Sequence, residues 1–301
     1  MIPESQLSTW ANAGASQSAT TTYTSIKAAL DAGTTLKGRQ YNVYLQGSYR
    51  NSMNVYGDMD VDVVVELTSV FGYDISNLTD VQKGEFQRRF PGSAECTPTQ
   101  FRNDVEAALV AYYGRDLVVS RNKCLQVTAK SGRLDADVLP CRSFKRYDAN
   151  PPVALPVPHE GIQFFTRDEN RSVVNFPSQH YENGVKKNGA TSDRFKPTVR
   201  IFKNLRNYLV ADNLISAEAA PSYFVTCLIY NAPNSVFQAK HAGTVLAILK
   251  WLHDLDDEAI NKLVCENELV WLCRDAPDRW KPLDAKKFRN AAISAWNDWG
   301  K

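Results

Sequence analysis

"LQGSYRNSMNVYGDMDVDVVVEL", residues 45 to 67, decides the fold of this chain. A β-branched and aromatic segment leads into it and ends at a Gly-Ser pair, and the valines at its end indicate a second strand. Two aspartates, Asp60 and Asp62, interrupt these valines. Because side chains alternate across a strand, both aspartates point to one face while Val61 and Val63 take the other. We therefore expect a strand that is acidic on one face and apolar on the other.

The same arrangement recurs in "RLDADVLPC", residues 133 to 141, where Asp135 and Asp137 share a face. Each pair could simply lie on the solvated outer face of an antiparallel sheet. However, Val64 follows on the acidic face of the first strand, so that face is not uniformly polar. Carboxylates gathered from both strands would repel one another unless a cation neutralised them, and hard oxygen ligands suit Mg²⁺. The two strands therefore predict a magnesium site of the kind used in phosphoryl and nucleotidyl transfer.

The Gly47-Ser48 turn fits the same chemistry. Glycine lets the backbone approach an anion closely, and the N–H groups exposed at such a turn form an anion-binding concavity. Ser48 adds a hydroxyl donor. A Gly-Ser pair is by itself a common turn, but an acidic strand shortly after it and a further aspartate on a later strand make the arrangement specific. The combination predicts a site for phosphate groups.

The remaining elements follow one another in an order typical of an α+β fold. We predict one or two helices over residues 4–31 and a loop or insertion over residues 68–100, which are polar with scattered Gly and Pro. Residues 142–192 are rich in Pro and Asn and contain only short strand candidates, "GIQFF" and "SVVNF". Further strands are predicted at "DLVVS" and "CLQVTAK", and helices at "TQFRNDVEAALVAYYG", "RFKPTVRIFKNLRNYLV", "SYFVTCLIYN", "AGTVLAILKWLHDL" and "DAKKFRNAAISAWNDW". We therefore expect a helix and a mixed sheet in residues 1–192 and a helical C-terminal lobe in residues 193–301.

Composition restricts the class of protein further. The chain has 301 residues, of which 44% are hydrophobic and 23% charged, which is enough for one large domain or two lobes. A net charge of +2 indicates neither a nucleic acid nor an acidic lipid as partner. The six cysteines show no zinc-ligand spacing. The N-terminus lacks a secretory signal and no apolar run is long enough to span a bilayer, so we expect a cytoplasmic protein without membrane contact.

The segment "GSYRNSMNVYGDMDVDVVVEL" closely resembles the Gly-Ser and Asp-x-Asp motif of the polymerase-β-like nucleotidyltransferases. The resemblance is strongest to the cGAS/DncV-like enzymes (CD-NTases) and the oligoadenylate synthetases. "LDADVLP" is similar to the strand of the third carboxylate, "FKPTVRIFKNLRNYL" to the helix with a triphosphate-binding lysine, and "PSYFVTCLIYNAP" to the Ser-Tyr helix start that contacts the nucleotide. These matches follow the family order over residues 45–235. The resemblance implies a polymerase-β-like mixed sheet with a helical lobe and an active site in the cleft between them.

For the acidic residues, the resemblance implies a site for two Mg²⁺ ions, with Mn²⁺ as an alternative. Asp60 and Asp62 would hold both ions. Asp137 would complete the site and take the proton of the attacking hydroxyl. Asp137 begins the "DVLP" that matches the family pattern, and Asp135 is the alternative for the third carboxylate.

The resemblance also assigns contacts with the nucleotide. On the sequence alone, two of these residues fit ordinary structural roles: Lys203 fits a solvated polar stripe of a helix together with Arg200 and Asn204, and Tyr223 fits a core aromatic. The assigned residues are Gly47 and Ser48 on the β and γ phosphates, Lys203 on the triphosphate, Ser222 on a phosphate, and Tyr223 stacked on a base. Apart from the resemblance, we expect Gln46 to bind the nucleotide in a base pocket lined also by Tyr49, Asn54 and Tyr223.

The implied activity is the joining of nucleoside triphosphates into a cyclic di- or trinucleotide. In the resembled family this product is an antiphage (CBASS) second messenger that switches on a downstream effector. Some members are regulated through conjugation at the C-terminus, so the tail "WNDWGK" implies a regulatory or ubiquitin-like-conjugation partner. The chain lacks the Cys/His zinc insertion and the basic surplus of the animal DNA sensor, so we do not expect double-stranded DNA as a partner.

Two alternatives remain open from the sequence. Another polymerase-β-like nucleotidyltransferase would make linear oligonucleotides or modify RNA, a protein or a small molecule, although an RNA-tailing enzyme is expected to carry a basic groove. A catalytically inactive nucleotide-binding scaffold is the second alternative. The intact acidic residues argue against it, because a scaffold has no use for clustered carboxylates.

Overall fold

The computed structural model describes residues 1–14, 17–56, 60–92, 95–130, 132–149, 155–275 and 280–300. The chain divides into two compact units. The helical unit consists of Met1–Gly14, Arg50–Asp58 and Gln179–Lys301. The sheet unit consists of Ala15–Tyr49 and Met59–Ser178.

The sheet unit contains a seven-stranded mixed sheet. Five strands are hydrogen-bonded in the order β1-β2-β5-β4-β3, with β2 and β5 parallel and the other neighbours antiparallel. The far half of β5 pairs with β6, and β6 with β7. The strands are β1 Tyr41–Leu45, β2 Asp60–Asp74, β3 Val118–Ser120, β4 Leu125–Val127, β5 Asp135–Arg146, β6 His159–Phe165 and β7 Ser172–Asn175. The predicted α+β class with a mixed sheet is confirmed.

One face of the central strands forms the core of this unit. Val61, Val63 and Val65 of β2 are fully buried together with Ala136 and Val138 of β5. They pack against two helices, α2 Gln17–Ala32 and α5 Pro98–Tyr113. Burying each valine stabilises the fold by about 1.5–3 kcal/mol, so the orientation of β2 is strongly fixed. The aspartates consequently lie on the opposite face.

The prediction of a loop over residues 68–100 was wrong. Strand β2 continues past an irregularity between Leu67 and Phe71 as far as Asp74. A helix follows, α4 Asp80–Arg89, which begins with a capping box between Thr79 and Gln82. The Thr-x-x-Gln pattern was present in the sequence, but the helix is polar and buries little besides Phe86, so its apolar periodicity was too weak to predict it.

The helical unit contains the four helices predicted from Phe195 onward. The interpretation of residues 142–192 without a helix was wrong, because helix α6, Pro177–Ala190, occupies their C-terminal part. Its sequence "PSQHYENGVKKNGA" contains glycines and asparagines that disfavour helix, so tertiary packing must stabilise it. The helices not yet named are α1 Glu4–Ala11, α3 Gly47–Arg50, α7 Phe195–Ala211, α8 Ser222–Tyr230, α9 His241–Asp254, α10 Asp257–Asn261 and α11 Pro282–Asp298. In the described part of the chain, every helix is too short or too polar to cross a bilayer.

Candidate active site

The aspartates of β2 and β5 face one another across a parallel pair of strands. Asp60 is paired with Asp135, and Asp62 with Asp137. Side chains of residues paired in register leave the sheet on the same side, so all four carboxylates lie on one face. Asp60 is exposed, while the other three are partly buried. Further along the same face Val64 is buried in a small apolar cluster, so the acidic region is confined to one end of the strands.

Two glutamines extend the central acidic pair into a row across four strands. The backbone N–H of Gln46 donates to the carbonyl of Asp62 at 2.9 Å, which continues the β1–β2 ladder by one residue. On the other side, Gln126 of β4 is paired with Asp137. The side-chain oxygen Oε1 of Gln46 is buried without a hydrogen-bond partner among the described residues. The predicted base-pocket residue Gln46 therefore lies next to the acidic residues.

The backbone conformation and the packing at position 47 both require glycine. Its φ of +69° lies in the left-handed region, and a Cβ built on it would overlap Oδ2 of Asp62. The residue begins the single helical turn α3, which also contains Ser48. The predicted Gly-Ser turn thus lies directly against the carboxylate of Asp62, and glycine leaves the room that this oxygen occupies.

The contacts of Asp135 and Asp137 distinguish the two candidates for the third carboxylate. Oδ1 of Asp135 accepts a hydrogen bond from the backbone N–H of Ala129 at 2.5 Å, which ties down the chain beyond β4. Asp137 instead lies beside the thiol of Cys124. Burial raises the pKa of Cys124 to about 12, and the charge of Asp137 and a hydrogen bond with it act in the same direction. The carboxylate of Asp135 therefore binds the backbone at Ala129, while the carboxylate of Asp137 lies beside the neutral thiol of Cys124.

Sequence reasoning missed Cys124 and Gln126 as neighbours of the acidic residues. Both belong to the short hairpin of β3 and β4, where each strand has three residues. Strand β4 pairs with β5, and a strand of three residues carries too little pattern to specify this pairing from the sequence. Only the repeated alternation of apolar and polar residues in "CLQVTAK" indicated a strand there.

The acidic side chains suit a divalent cation by the type of their donor atoms, although not by their arrangement in this structure. No group of three or more His, Cys, Asp or Glu side chains within the described ranges is arranged to hold a metal ion. Asp60, Asp62 and Asp137 nevertheless share one face of adjacent strands, and their hard oxygen donors are those that Mg²⁺ prefers. Carboxylates on neighbouring strands repel one another until a cation neutralises them. Asp58, a further carboxylate of the sequence, lies outside the described residues.

Lys203 lies in the helical unit and is not a solvated lysine. Its side chain is 2% exposed, and Nζ donates to the carbonyl of Met53 at 3.0 Å. Met53 belongs to the segment that follows the Gly-Ser turn along the chain. Arg200, one turn earlier on α7, donates to the carbonyls of Ser52 and Ala11. The stripe of polar residues on this helix therefore holds backbone segments of the helical unit.

Ser222 and Tyr223 begin α8 in the helical unit. Tyr223 is 40% exposed, so it is not a core aromatic. Its ring centroid lies 5.4 Å from that of His180 and 6.0 Å from that of Trp280. The tyrosine thus presents part of its ring outward while two aromatic neighbours support it. Each unit therefore carries a part of the predicted set of site residues.

The comparisons with known proteins agree with these features. Residues 182–297 match the model of the cGAS/DncV-like nucleotidyltransferase C-terminal helical domain. The chain is 41% identical to the cyclic UMP-AMP synthase of Rhodothermus marinus and 34% identical to the cyclic nucleotide synthase CdnE01 of Staphylococcus haemolyticus, over 99% of each chain in both cases.

Solved structures give the same result. The Rhodothermus marinus CdnE c-UMP-AMP synthase with Apcpp and Upnpp superposes with a TM-score of 0.89 at 39% identity, over 100% of this chain and 98% of the other. The Elizabethkingia meningoseptica CdnE cyclic dinucleotide synthase with GTP and Apcpp gives 0.79 at 30% identity, over 100% of both chains. The chain therefore belongs to the cGAS/DncV-like nucleotidyltransferases.

Proposed function

We propose that this nucleotidyltransferase joins nucleoside triphosphates into a cyclic di- or trinucleotide. The observation that carries the proposal is the pairing of Asp62 with Asp137 on one face of the sheet, with Asp60 beside them and Gly47 against Asp62. The names of the relatives support a cyclic product. Those names differ in the bases that they specify, from UMP-AMP to dipurine and dipyrimidine, so the choice of bases is left to experiment.

The sheet unit supplies the groups for the chemical step. Asp60, Asp62 and Asp137 would hold two divalent cations, which lower the pKa of an attacking hydroxyl and offset charge on a leaving pyrophosphate. Gly47 lets the backbone approach the β and γ phosphates, and the hydroxyl of Ser48 adds a donor. Positioning and charge neutralisation of this kind account for most of the rate enhancement in phosphoryl transfer.

Each linkage forms in one displacement at the α-phosphorus, in which one bond forms and one bond breaks. The 2′ or 3′ hydroxyl oxygen of one nucleotide forms a bond to the α-phosphorus of another, and the bond from that phosphorus to the pyrophosphate oxygen breaks. The hydroxyl proton passes to the carboxylate of Asp137 and from there to water. For a cyclic dinucleotide, a second displacement, with the free hydroxyl and the remaining triphosphate as reactants, closes the ring and releases a second pyrophosphate. A cyclic trinucleotide requires one further displacement, with a third nucleotide and a third pyrophosphate, before the ring closes.

The helical unit supplies binding groups. The ammonium of Lys203 would neutralise triphosphate charge, and the hydroxyl of Ser222 would donate to a phosphate. Tyr223, with its partly exposed ring, would stack on a base, which contributes on the order of 1–3 kcal/mol. These assignments need no histidine base, because an acidic residue accepts the proton.

The proposed cellular role is that of an antiphage signal generator in the cytoplasm. The cyclic product would act on a downstream effector, so the enzyme itself needs neither a membrane contact nor double-stranded DNA. A regulatory or conjugation partner would act on the C-terminal tail, whose last residue, Lys301, lies outside the described residues.

Incubation with the four nucleoside triphosphates, singly and together, tests the proposal. Purified protein with Mg²⁺ should release pyrophosphate without an added acceptor, and mass spectrometry should detect a cyclic product whose linkages are assigned by 3′-5′-specific nuclease digestion. Asp62→Asn should abolish the release, while Asp74→Asn at the far end of the same strand should not. Pyrophosphate release that requires RNA or another acceptor would favour the alternative nucleotidyltransferase activity.

A further inference from the structure

A fully buried carboxylate in the helical unit has no role in the mechanism described so far. Glu266 is 0% exposed. Its Oε2 lies 3.0 Å from Nε2 of His180, which is an ion-pair distance, and neither carboxylate oxygen has a hydrogen-bond partner in the described part of the chain. Burying a carboxylate is costly unless it is paired and hydrogen-bonded. A fold that keeps Glu266 here is therefore expected to gain something from it.

Helix α6 is shaped around this carboxylate. A Cβ on Gly184 would overlap Oε1 of Glu266, so glycine at this position lets the helix approach. The neighbouring Asn183 donates from Nδ2 to the backbone carbonyl of Glu266 at 2.9 Å. The glycine weakens α6 as a helix, and the carboxylate is costly to bury. Gly184 and Glu266 are each unfavourable for stability but pack closely against one another, which indicates a specific arrangement.

Groups on three helices interact electrostatically with Glu266. Burial lowers the pKa of Lys187 on α6 and of Lys196 on α7, and the negative charge of Glu266 partly offsets this in both. The charge of Glu266 also contributes to raising the pKa of Tyr230 on α8, after burial and the nearer Glu268. Glu266 is thus a buried acidic residue with two lysines and His180 around it.

The imidazole of His180 connects Glu266 to the expected base-binding surface. One edge of the ring contacts Glu266, and its centroid lies 5.4 Å from that of Tyr223 at an interplanar angle of 37°. Without an anchor at Nε2, the imidazole would be able to turn about its χ2 torsion and leave the tyrosine without this support.

We propose that Glu266 is a positioning residue that fixes His180, which in turn holds the ring of Tyr223 as a stacking surface for a nucleobase. The inference rests on the proposed function only in taking Tyr223 as a nucleotide contact. Glu266 and His180 act through the tyrosine, so they affect nucleotide binding and leave the chemical step unchanged. The competing role is a purely structural one, in which Glu266 only joins α6 to the segment after α10.

Replacement by methionine separates the two roles. Glu266→Met keeps a similar volume but removes one partner of a buried pair and leaves His180 without it, which is expected to lower Tm. A positioning role therefore predicts an increase of about tenfold in the Kd for nucleoside triphosphates in addition to any fall in Tm. A purely structural role predicts a lower Tm with an unchanged Kd.

The experiment measures ATP, GTP, CTP and UTP binding by equilibrium dialysis with Ca²⁺, and pyrophosphate release with Mg²⁺. Glu266→Met and His180→Phe should each raise the Kd and KM with little change in kcat. Glu268→Gln, an exposed glutamate on the same segment, is the matched control and should change neither. In a Tyr223→Ala background, whose own loss is about tenfold, Glu266→Met should cause no further loss.

The possible outcomes test the positioning role of Glu266 and the proposed function independently. Wild-type protein that binds nucleotides without releasing pyrophosphate contradicts the proposed function, and the binding cycle then still decides the positioning role. An unchanged Kd in both single variants, or losses that add to that of Tyr223→Ala, overturns the positioning role. A wild-type chain that binds no nucleotide overturns both.

Discussion

Asp62 of β2 and Asp137 of β5 are directly paired across parallel strands, so two carboxylates that are far apart in sequence leave the same face of the sheet side by side. On the opposite face, the valines between the aspartates are buried in the core of the sheet unit. A shift of one residue in either strand would bury an aspartate and expose a valine. The packing of the core therefore fixes the position of the acidic pair.

The pairing predicts which carboxylates carry activity. Asp62→Asn and Asp137→Asn should each reduce pyrophosphate release on the order of a hundredfold or more, because each removes a cation ligand. Asp135→Asn should instead reduce the free energy of unfolding by about 1 kcal/mol, because its carboxylate accepts from the N–H of Ala129. Steady-state kinetics and urea unfolding of the three variants check this assignment. A loss of activity in Asp135→Asn equal to that in Asp137→Asn would contradict it.

Removal of divalent cations provides a second check on the same residues. Chelation with EDTA should abolish pyrophosphate release, and added Mg²⁺ or Mn²⁺ should restore it. Asp60→Asn keeps the other two carboxylates, so it should need a higher Mg²⁺ concentration than the wild type for half-maximal pyrophosphate release. Activity that persists in EDTA would rule out the metal assignment.

Gly47→Ala should lower both stability and activity. The backbone there has a φ of +69°, which costs about 1–3 kcal/mol for a non-glycine residue, and the added methyl group would displace the carboxylate of Asp62. Gly38→Ala is the matched control, because its φ is +80° and nothing lies within 4 Å of the added carbon. Both variants should lose stability in urea unfolding, Gly47→Ala by at least as much as Gly38→Ala, and only Gly47→Ala should lose activity. Equal activity in the two variants would contradict the role of this contact.

Lys203→Met tests whether the buried ammonium group of Lys203 both stabilises the fold and binds nucleotide. The variant leaves the carbonyl of Met53 without its lysine donor, which costs about 1–3 kcal/mol in the free energy of unfolding. It also removes the charge proposed to neutralise the triphosphate, so KM for nucleoside triphosphates should rise. Lys250→Met on the exposed face of α9 is the control and should change neither quantity. A stability loss with unchanged KM would restrict Lys203 to a structural role.

Local patterns in the sequence were sufficient for the acidic strand and the C-terminal helices. Alternation with a period of two placed Asp60 and Asp62 on one face without reference to any other part of the chain. The helix from Phe195 has buried residues at helical spacing along its length, so its amphipathic pattern is strong. Both predictions depend only on residues close in sequence, which is why they could be made.

The residues that were missed depend on contacts that the pattern of a single segment does not specify. Helix α6 is a weak helix by composition and follows from packing against Glu266, more than 80 positions from its middle. Gln126 lies in the acidic row because a three-residue strand pairs with β5. The choice between Asp135 and Asp137 likewise could not be made from alternation, since both share a face; it needed the contact of Asp135 with Ala129.

The reactivity of Cys124 tests the geometry around Asp137 without relying on enzyme activity. The thiolate is the reactive form of cysteine, and a pKa of about 12 instead of the ordinary 9.0 lowers the thiolate fraction about a thousandfold at pH 8. Cys124 should therefore be alkylated by iodoacetamide far more slowly in the native protein than in the unfolded chain, although it is less buried than the other five cysteines. Peptide mapping by mass spectrometry measures this site by site.

The same measurement with aspartate variants identifies the cause of the slow reaction. Burial is the largest contribution to the raised pKa of Cys124, and Asp137 is the next. Asp137→Asn should therefore speed alkylation at Cys124 while leaving it slower than in the unfolded chain. Asp135→Asn should leave the rate unchanged, because that carboxylate is directed to the N–H of Ala129. A rate that does not respond to Asp137→Asn would show that the thiol and this carboxylate are not neighbours, and it would remove the support that Cys124 gives to Asp137 as the third acidic residue.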